Sequence, residues 1–389
     1  MTSSADRARA TVNTLEPDLL ALSHRIHAHP ELKFEEERSS AWVADMLAGH
    51  GMKVDFGVCD LPTAFVARAG DGPLHLSLCA EYDALPAIGH ACGHNIIAAS
   101  TVGAALAIAP LADELGITVS VMGTPAEEGG GGKVFMLERG AFDGVHASMM
   151  VHPAPIDGLR PRVSAVSHFR VRYHGKESHA AGAPQLGVNA ADALVVAQTA
   201  IGLLRQHLRP TDQVHGIVVH GGDAANIVPA HTEGDWMVRA RTVDELAEVL
   251  PRIEACFHAG SISTGARLEI EDECPRYSHM DHDADLVALY RDATEPLGRH
   301  YDDSIEMTFS TDMGNVSLAL PSIHPTIGID SAGSVNHQPE FAAACVNPSA
   351  DRAVVEGALG LALTAIGASQ GALRERLLAA GGYRRPAAD

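Results

Sequence analysis

Basic residues are in short supply. Lysine and arginine number 28 against 49 aspartates and glutamates, which leaves a formal net charge of −21 over 389 residues. An excess of that sign repels phosphate backbones and anionic headgroups, so neither nucleic acid nor a membrane is expected as a partner. Long apolar runs are missing too: Ala98–Ala112 and Ala358–Ala368 fall short of the roughly 20 residues that cross a bilayer. Met1–Ala10 is polar, and no basic patch leads into an apolar segment, so a cytoplasmic location is expected. The six cysteines, at 59, 79, 92, 256, 274 and 345, show no regular spacing. That excludes a disulfide framework, and most are expected to be reduced core residues. Histidine is plentiful, at 22; His24, His27 and His29 follow one helical face and are expected in surface or packing roles.

With 46% hydrophobic residues the chain has ample core, and at this length two domains are expected. The pattern predicts two helices within Leu15–Gly51 and strands at Met52–Phe56, Thr63–Ala69 and Leu74–Leu78. Gly70-Asp71-Gly72 reads as a hairpin turn between the last two. A helix from Ile96, a strand Ile117–Met122, a helix Val134–Arg139 and a strand Ala147–Val151 follow. This order of apolar strands and helices predicts an α/β fold, a mixed, mostly parallel sheet sandwiched by helices. From about residue 164 the strands alternate with polar residues and are separated by the helices Val188–Leu208 and Val243–His258. The expected organisation is therefore a catalytic domain of residues 1–163 and 276–389, interrupted by an inserted α+β lid of residues 164–275. Only the tail beyond Gly381 reads as disordered.

Chemistry-bearing residues gather where strands end. His90-Ala-Cys92-Gly-His94 lies on a turn between a buried strand and a helix, the place where open α/β sheets bind ligands. A thiolate and an imidazole two residues apart can face one centre there. Glu127 and Glu128 follow another strand and precede four glycines. Adjacent carboxylates repel one another unless a cation lies nearby. His152 ends a third strand, and His337 sits on the late loop Asn336–Phe341. Cys92, His94, Glu128, His152 and His337 exceed what one tetrahedral zinc requires, so two divalent ions sharing a ligand are the economical reading. Glu127 beside them suits a general base. Asp83 reads equally as an acceptor orienting a ligand imidazole or as a turn-capping aspartate. Two rival readings stay open: a cysteine amidase with Cys92 as nucleophile and His94 or His90 as base, and a catalytically silent metal-holding scaffold.

Several motifs carry a resemblance: Tyr82-Asp83-Ala-Leu-Pro86, His90-Ala-Cys-Gly-His94, Pro125-Ala-Glu-Glu128, Ser178-His179-Ala-Ala181, Gly187-Val-Asn-Ala190 and Asn336-His-Gln-Pro-Glu-Phe341. In this order the chain resembles the dinuclear metallo-aminoacylase and carboxypeptidase-G superfamily, and within it the hippurate-hydrolase and aminobenzoyl-glutamate-hydrolase branch. The resemblance implies zinc or manganese ions at Cys92, His94, Glu128, His152 and His337, with Glu127 as base and acid. It implies a homodimer formed through the lid, His179 as an oxyanion donor across that interface, and Asn226 and Arg241 holding substrate carbonyl and carboxylate groups. The implied substrate is a small N-acyl or aminoacyl amino acid with a free carboxylate. Many relatives carry Asp where this chain has Asn95, a departure that bears on charge around the ligands.

Overall fold

Leu74, Leu76 and Leu78 put one face of a strand into an apolar cluster while Cys79 points into a second cluster on the other side. A strand buried on both faces needs partners on both edges. In the computed structural model, which describes residues 3–302 and 308–386, this strand lies inside a six-stranded sheet. Its members are β1 (Lys53–Phe56), β2 (Phe65–Ala69), β3 (Leu74–Glu81), β4 (Ile117–Thr124), β5 (Ala147–Met149) and the short Ser322–Ile323, in the order β1-β2-β4-β3-β5 and then Ser322–Ile323. The pairs from β4 onward are parallel; β1 and β2 add an antiparallel edge. Helices α1 (Ser4–His27), α2 (Glu37–Gly49) and α3 (His94–Ile108) and the helix Pro348–Ala368 cover one face. Met136, Phe142, Met313 and Val316 cover the other. The expected mostly parallel sheet between helices is what forms.

Every residue of α3 is buried, as a helix apolar all round must be. With its continuing turns the stretch His94–Leu115 reaches 22 residues, longer than the apolar run visible in the sequence and sufficient to span a bilayer by length and apolarity. Its most apolar window is nonetheless 89% buried within the protein.

Two local expectations are corrected. No hairpin joins β2 to β3, because β4 lies between them. Gly70–Gly72 instead crosses the start of β4, where Gly72 donates its N–H to the Ile117 carbonyl at 3.2 Å and a Cβ would stand 2.0 Å from the Gly116 carbonyl carbon. The segment after Gly381 is tied down as far as it is described. Gly144 donates its N–H to the Tyr383 carbonyl and Tyr383 donates its own to the Val145 carbonyl, each at 2.8 Å, and the Arg385 N–H donates to Asp143 at 3.1 Å.

The chain divides into two compact units, Met1–Arg162 with Met280–Asp389, and Val163–His279; the second runs four residues past the 275 read from the sequence. It contains an antiparallel sheet in the order Arg267–Asp272, Ala165–His174, His231–Ala240, Gln213–His220. Strict alternation sends Phe169, Val171, Tyr173, Trp236 and Val238 toward the helices Ala190–Leu204 and Val243–Thr264. The opposite face carries ion pairs, among them Arg170 with Glu233 at 2.8 Å and His168 with Asp235 at 2.5 Å.

In the first unit the buried Glu36 shapes the loop after β4. Its Oε1 accepts the N–H groups of Phe34 and Ala126, each at 2.8 Å, and its Oε2 accepts the Thr63 hydroxyl at 2.8 Å. Ala126 holds a left-handed φ of 59°, which a residue with a Cβ adopts only under such constraint. Burial, helped by the charge of Asp83, pushes the Glu36 pKa up to about 7.

Two outcomes follow. Gly72→Ala should lower the unfolding free energy by about 1–3 kcal/mol through overpacking, while Gly49→Ala, with nothing within 4 Å of its added Cβ, should change it by less than about 1 kcal/mol; urea melts compare them. Because the folded pKa of Glu36 lies above its ordinary 4.5, its contribution is complete below that value and is lost as pH rises through about 7. Wild type should therefore lose more stability than Glu36→Gln between about pH 5 and pH 8, and parallel melting curves would contradict this assignment.

Candidate metal centre

Strand ends and one late loop build the site. β3 ends at Glu81 and delivers Asp83; Gly93 opens α3 between Cys92 and His94; β4 leads to Glu127 and Glu128; β6 (His152–Ala154) begins with His152. Gly93 is required where it stands: its φ is 75°, and a Cβ would lie 2.4 Å from the Cγ of Pro153. That close approach seats Cys92 against the strand bearing His152. His337 also holds a left-handed φ, 68°, and its N–H donates to the Ala91 carbonyl at 2.9 Å. A strained non-glycine backbone anchored to the Cys92 loop marks a position the fold over-determines.

The five expected ligands meet. Cys92, His94 and His152 offer donor atoms within 4.8 Å of one another, and so do Cys92, Glu128 and His337. Cys92 belongs to both triads, so its sulfur would be within reach of two ions. The spacing is that of ligands around an ion. Donors held about 2.0–2.3 Å from a tetrahedral cation lie roughly 3.4–3.6 Å apart. Here the Cys92 Sγ is 3.5 Å from His152 Nε2 and 3.6 Å from His337 Nε2, and His337 Nε2 is 3.4 Å from Glu128 Oε1.

Hydrogen bonds behind the donors aim them. His94 Nδ1 meets Asp83 Oδ1 at 3.0 Å and His152 Nδ1 meets the Pro153 carbonyl at 2.8 Å. Both acceptors fix the proton on Nδ1 and turn the Nε2 lone pair inward. Asp83 Oδ2 accepts the Glu128 N–H at 2.8 Å, so one carboxylate ties the His94 helix to the Glu128 loop. Asn95 points elsewhere: its amide donates to Ser23 Oγ at 2.8 Å and to the Cys345 carbonyl at 3.0 Å. An aspartate there would face that carbonyl with an acceptor, so the departure serves helix packing.

Burial and neighbouring charges set the proton affinity of each group differently. Burial opposes charge on His94, but the Asp83 carboxylate and its hydrogen bond outweigh it and hold the ring well above its ordinary range. Burial drops His152 to about 4, keeping it neutral as a ligand must be. Burial raises Glu127 well above the carboxylate range, reinforced by Glu81 and Glu128. Burial also pushes the Cys92 thiol up, with Glu128 adding to the effect. The cysteine-amidase reading leaves Glu128, His152 and His337 without a part, although their donor atoms converge on the Cys92 sulfur.

Three of the expected residues belong to the second unit, and others were not singled out in the sequence. In the second unit His179 Nδ1 accepts the N–H groups of Ala181 and Gly182 at 3.2 and 3.0 Å, which places the ring proton on Nε2 as a donor. Asn226 is exposed, and its carbonyl accepts the Ala180 N–H at 3.0 Å. Arg241 is engaged by Glu245 at 2.6 Å, the ordinary ion pair of an arginine at a helix start. Spacing did not reveal Lys133, which follows the four glycines and is fully buried with Glu81 and Asp312. A lone lysine opening the apolar run Val134–Leu137 was the available signal. His324 was missed too: buried without a hydrogen-bond partner among the described residues, it stacks on His152 with ring centroids 5.4 Å apart.

Residues 78–354 match the model of peptidase family M20/M25/M40. The chain is 37% identical to a mouse Xaa-Arg dipeptidase, covering 92% of this chain and 88% of that one. It is 31% identical to one of the subunits of the Escherichia coli p-aminobenzoyl-glutamate hydrolase, over 74% of this chain and 64% of that one. In fold it is similar to a dinuclear metal-binding peptidase of the M20 family from Bacillus subtilis, with a TM-score of 0.70, 21% identity and coverage of 91% and 98%. The aminobenzoyl-glutamate utilization protein from Klebsiella pneumoniae gives 0.71 and 20%, with coverage of 90% and 96%. Two donor triads that share one sulfur would suit a pair of ions, and the chain belongs to peptidase family M20/M25/M40.

Proposed function

We propose that the protein cleaves the amide bond of small aminoacyl or N-acyl amino acids, the amino acid carrying a free carboxylate. The observation that carries this reading is the pair of ligand triads sharing Cys92 with the carboxylate of Glu127 close to His94 Nε2, 3.9 Å away. Dipeptides ending in a basic residue and aminobenzoyl-glutamate are the first substrates to try, since curated relatives are named for Xaa-Arg and for p-aminobenzoyl-glutamate.

Cys92, His94, Glu128, His152 and His337 would hold the ions, zinc or manganese; a thiolate donor favours zinc. When bound, the ions make water acidic at neutral pH and polarise the amide carbonyl. Glu127, whose surroundings raise its affinity for a proton, takes that proton and delivers it to the departing amine. Asp83 keeps His94 oriented. His179 is the proposed donor to the oxyanion, a role suited to its Nε2–H tautomer. Asn226 and Arg241 are the proposed contacts for substrate carbonyl and carboxylate, Arg241 exchanging Glu245 for the ligand.

The homodimer proposed through the second unit has support in an exposed apolar edge. Gln213–His220 is the outermost strand of its sheet, and Ile217, Val218 and Val219 are all exposed, as are Val195 and Leu203 on the neighbouring helix. Such an edge is ordinarily covered. A cytoplasmic location is proposed as well, supported by the absence of disulfides among six cysteines.

Glu127→Gln should lower kcat by about 10²–10⁴-fold while metal analysis still finds two ions per chain; activity near wild type would remove Glu127 from this role. Chelation should abolish hydrolysis and lower the melting temperature, with both restored by added zinc or manganese. Ile217→Lys combined with Val219→Lys should give a monomer in sedimentation equilibrium, and an unchanged mass would place any dimer contact elsewhere.

A further inference from the structure

Glu81 ends β3 and is fully buried. Its Oε1 accepts from Lys133 Nζ at 2.5 Å. Lys133 also donates to Asp312 Oδ1 at 2.7 Å, and the Lys133 backbone N–H donates to Asp312 Oδ2 at 2.9 Å. Lys133 and Asp312 therefore clamp one oxygen of Glu81 and fix the direction of the other. That other oxygen, Oε2, has no hydrogen-bond partner among the described residues and lies 3.5 Å from His94 Nε2, a buried atom equally without one.

A buried carboxylate oxygen left unmatched is costly. His94 is not its donor: Asp83 takes the ring proton on Nδ1, and at 3.5 Å Nε2 stands outside ordinary hydrogen-bonding range of Oε2. Neutralising Lys133 does not explain the arrangement either, since Asp312 already does so and the ammonium bonds the other oxygen, Oε1. What remains is a cation. The 3.5 Å between Oε2 and Nε2 matches the edge expected between two donors on one ion, about 3.4 Å. Glu81, His94 and Glu127 also form a third set of donors within 4.8 Å of one another.

We propose that Glu81, through Oε2, is a direct carboxylate ligand of the ion held by His94, and that Lys133 with Asp312 is the clamp that positions it. The inference rests on the two-ion reading and extends its ligand set to a sixth residue. It gives β3 a part in the centre besides Asp83.

Anomalous diffraction from crystals of the zinc-loaded wild-type protein tests it directly. One zinc should lie about 2.0–2.2 Å from Glu81 Oε2; a separation beyond about 3 Å overturns the proposal. In solution, Glu81→Gln and Glu81→Asp loaded with cobalt should each lose about tenfold or more in affinity for one ion by chelator competition, with an altered ligand-field spectrum. Two ions held as tightly as in wild type, with the wild-type spectrum, would also overturn it. Should either variant fail to fold, the wild-type crystal still decides. A wild-type protein that takes up no ions defeats the two-ion reading itself, whereas two ions bound away from Glu81 defeat only this inference.

Discussion

Buried negative charge governs this molecule. Glu81, Asp83, Glu127 and Asp312 are at most 6% exposed, and Glu128 stands beside them. Carboxylates in a low-dielectric interior repel one another and forfeit hydration, so the arrangement is tolerable only with compensating cations. Lys133 supplies one, held between Glu81 and Asp312. A pair of divalent ions would supply the rest, which would couple ion binding to the stability of the surrounding loops.

Making that cluster requires backbone the chain would not choose locally. Ala126 and His337 both adopt left-handed φ values, and Gly93 sits where any side chain would strike Pro153. Each distortion is held from outside the cluster: Glu36 grips the Ala126 N–H, and the Ala91 carbonyl accepts from His337. Strain next to the ligands and hydrogen bonds behind them are two aspects of one design, in which donors are aimed before any ion arrives.

The parts of the fold that the sequence disclosed are those decided by short-range pattern. Alternation in Leu74–Leu78 and Phe169–Tyr173, and the predominantly apolar α3, have one sterically sensible outcome each. The hairpin expected at Gly70–Gly72 was wrong because strand neighbours are chosen by burial on both edges, and β4 competes for β2 more effectively than β3 does. The tail after Gly381 reads as disordered by composition, yet it is ordered by backbone hydrogen bonds to Asp143–Val145, residues more than two hundred positions earlier.

The types of chemistry were written in the chain itself. A thiolate, three imidazoles and paired acids at strand ends, together with motifs resembling a known branch of amidohydrolases, were legible because each lies within a few residues of a turn or strand end. Only the tertiary structure decided that Cys92 belongs to both triads, that Asp83 rather than Asn95 orients His94, and that Lys133 and Asp312 discipline Glu81. These are relations between residues up to about 245 positions apart, set by how helices and strands pack, and side-chain identity carries no record of distances that packing creates.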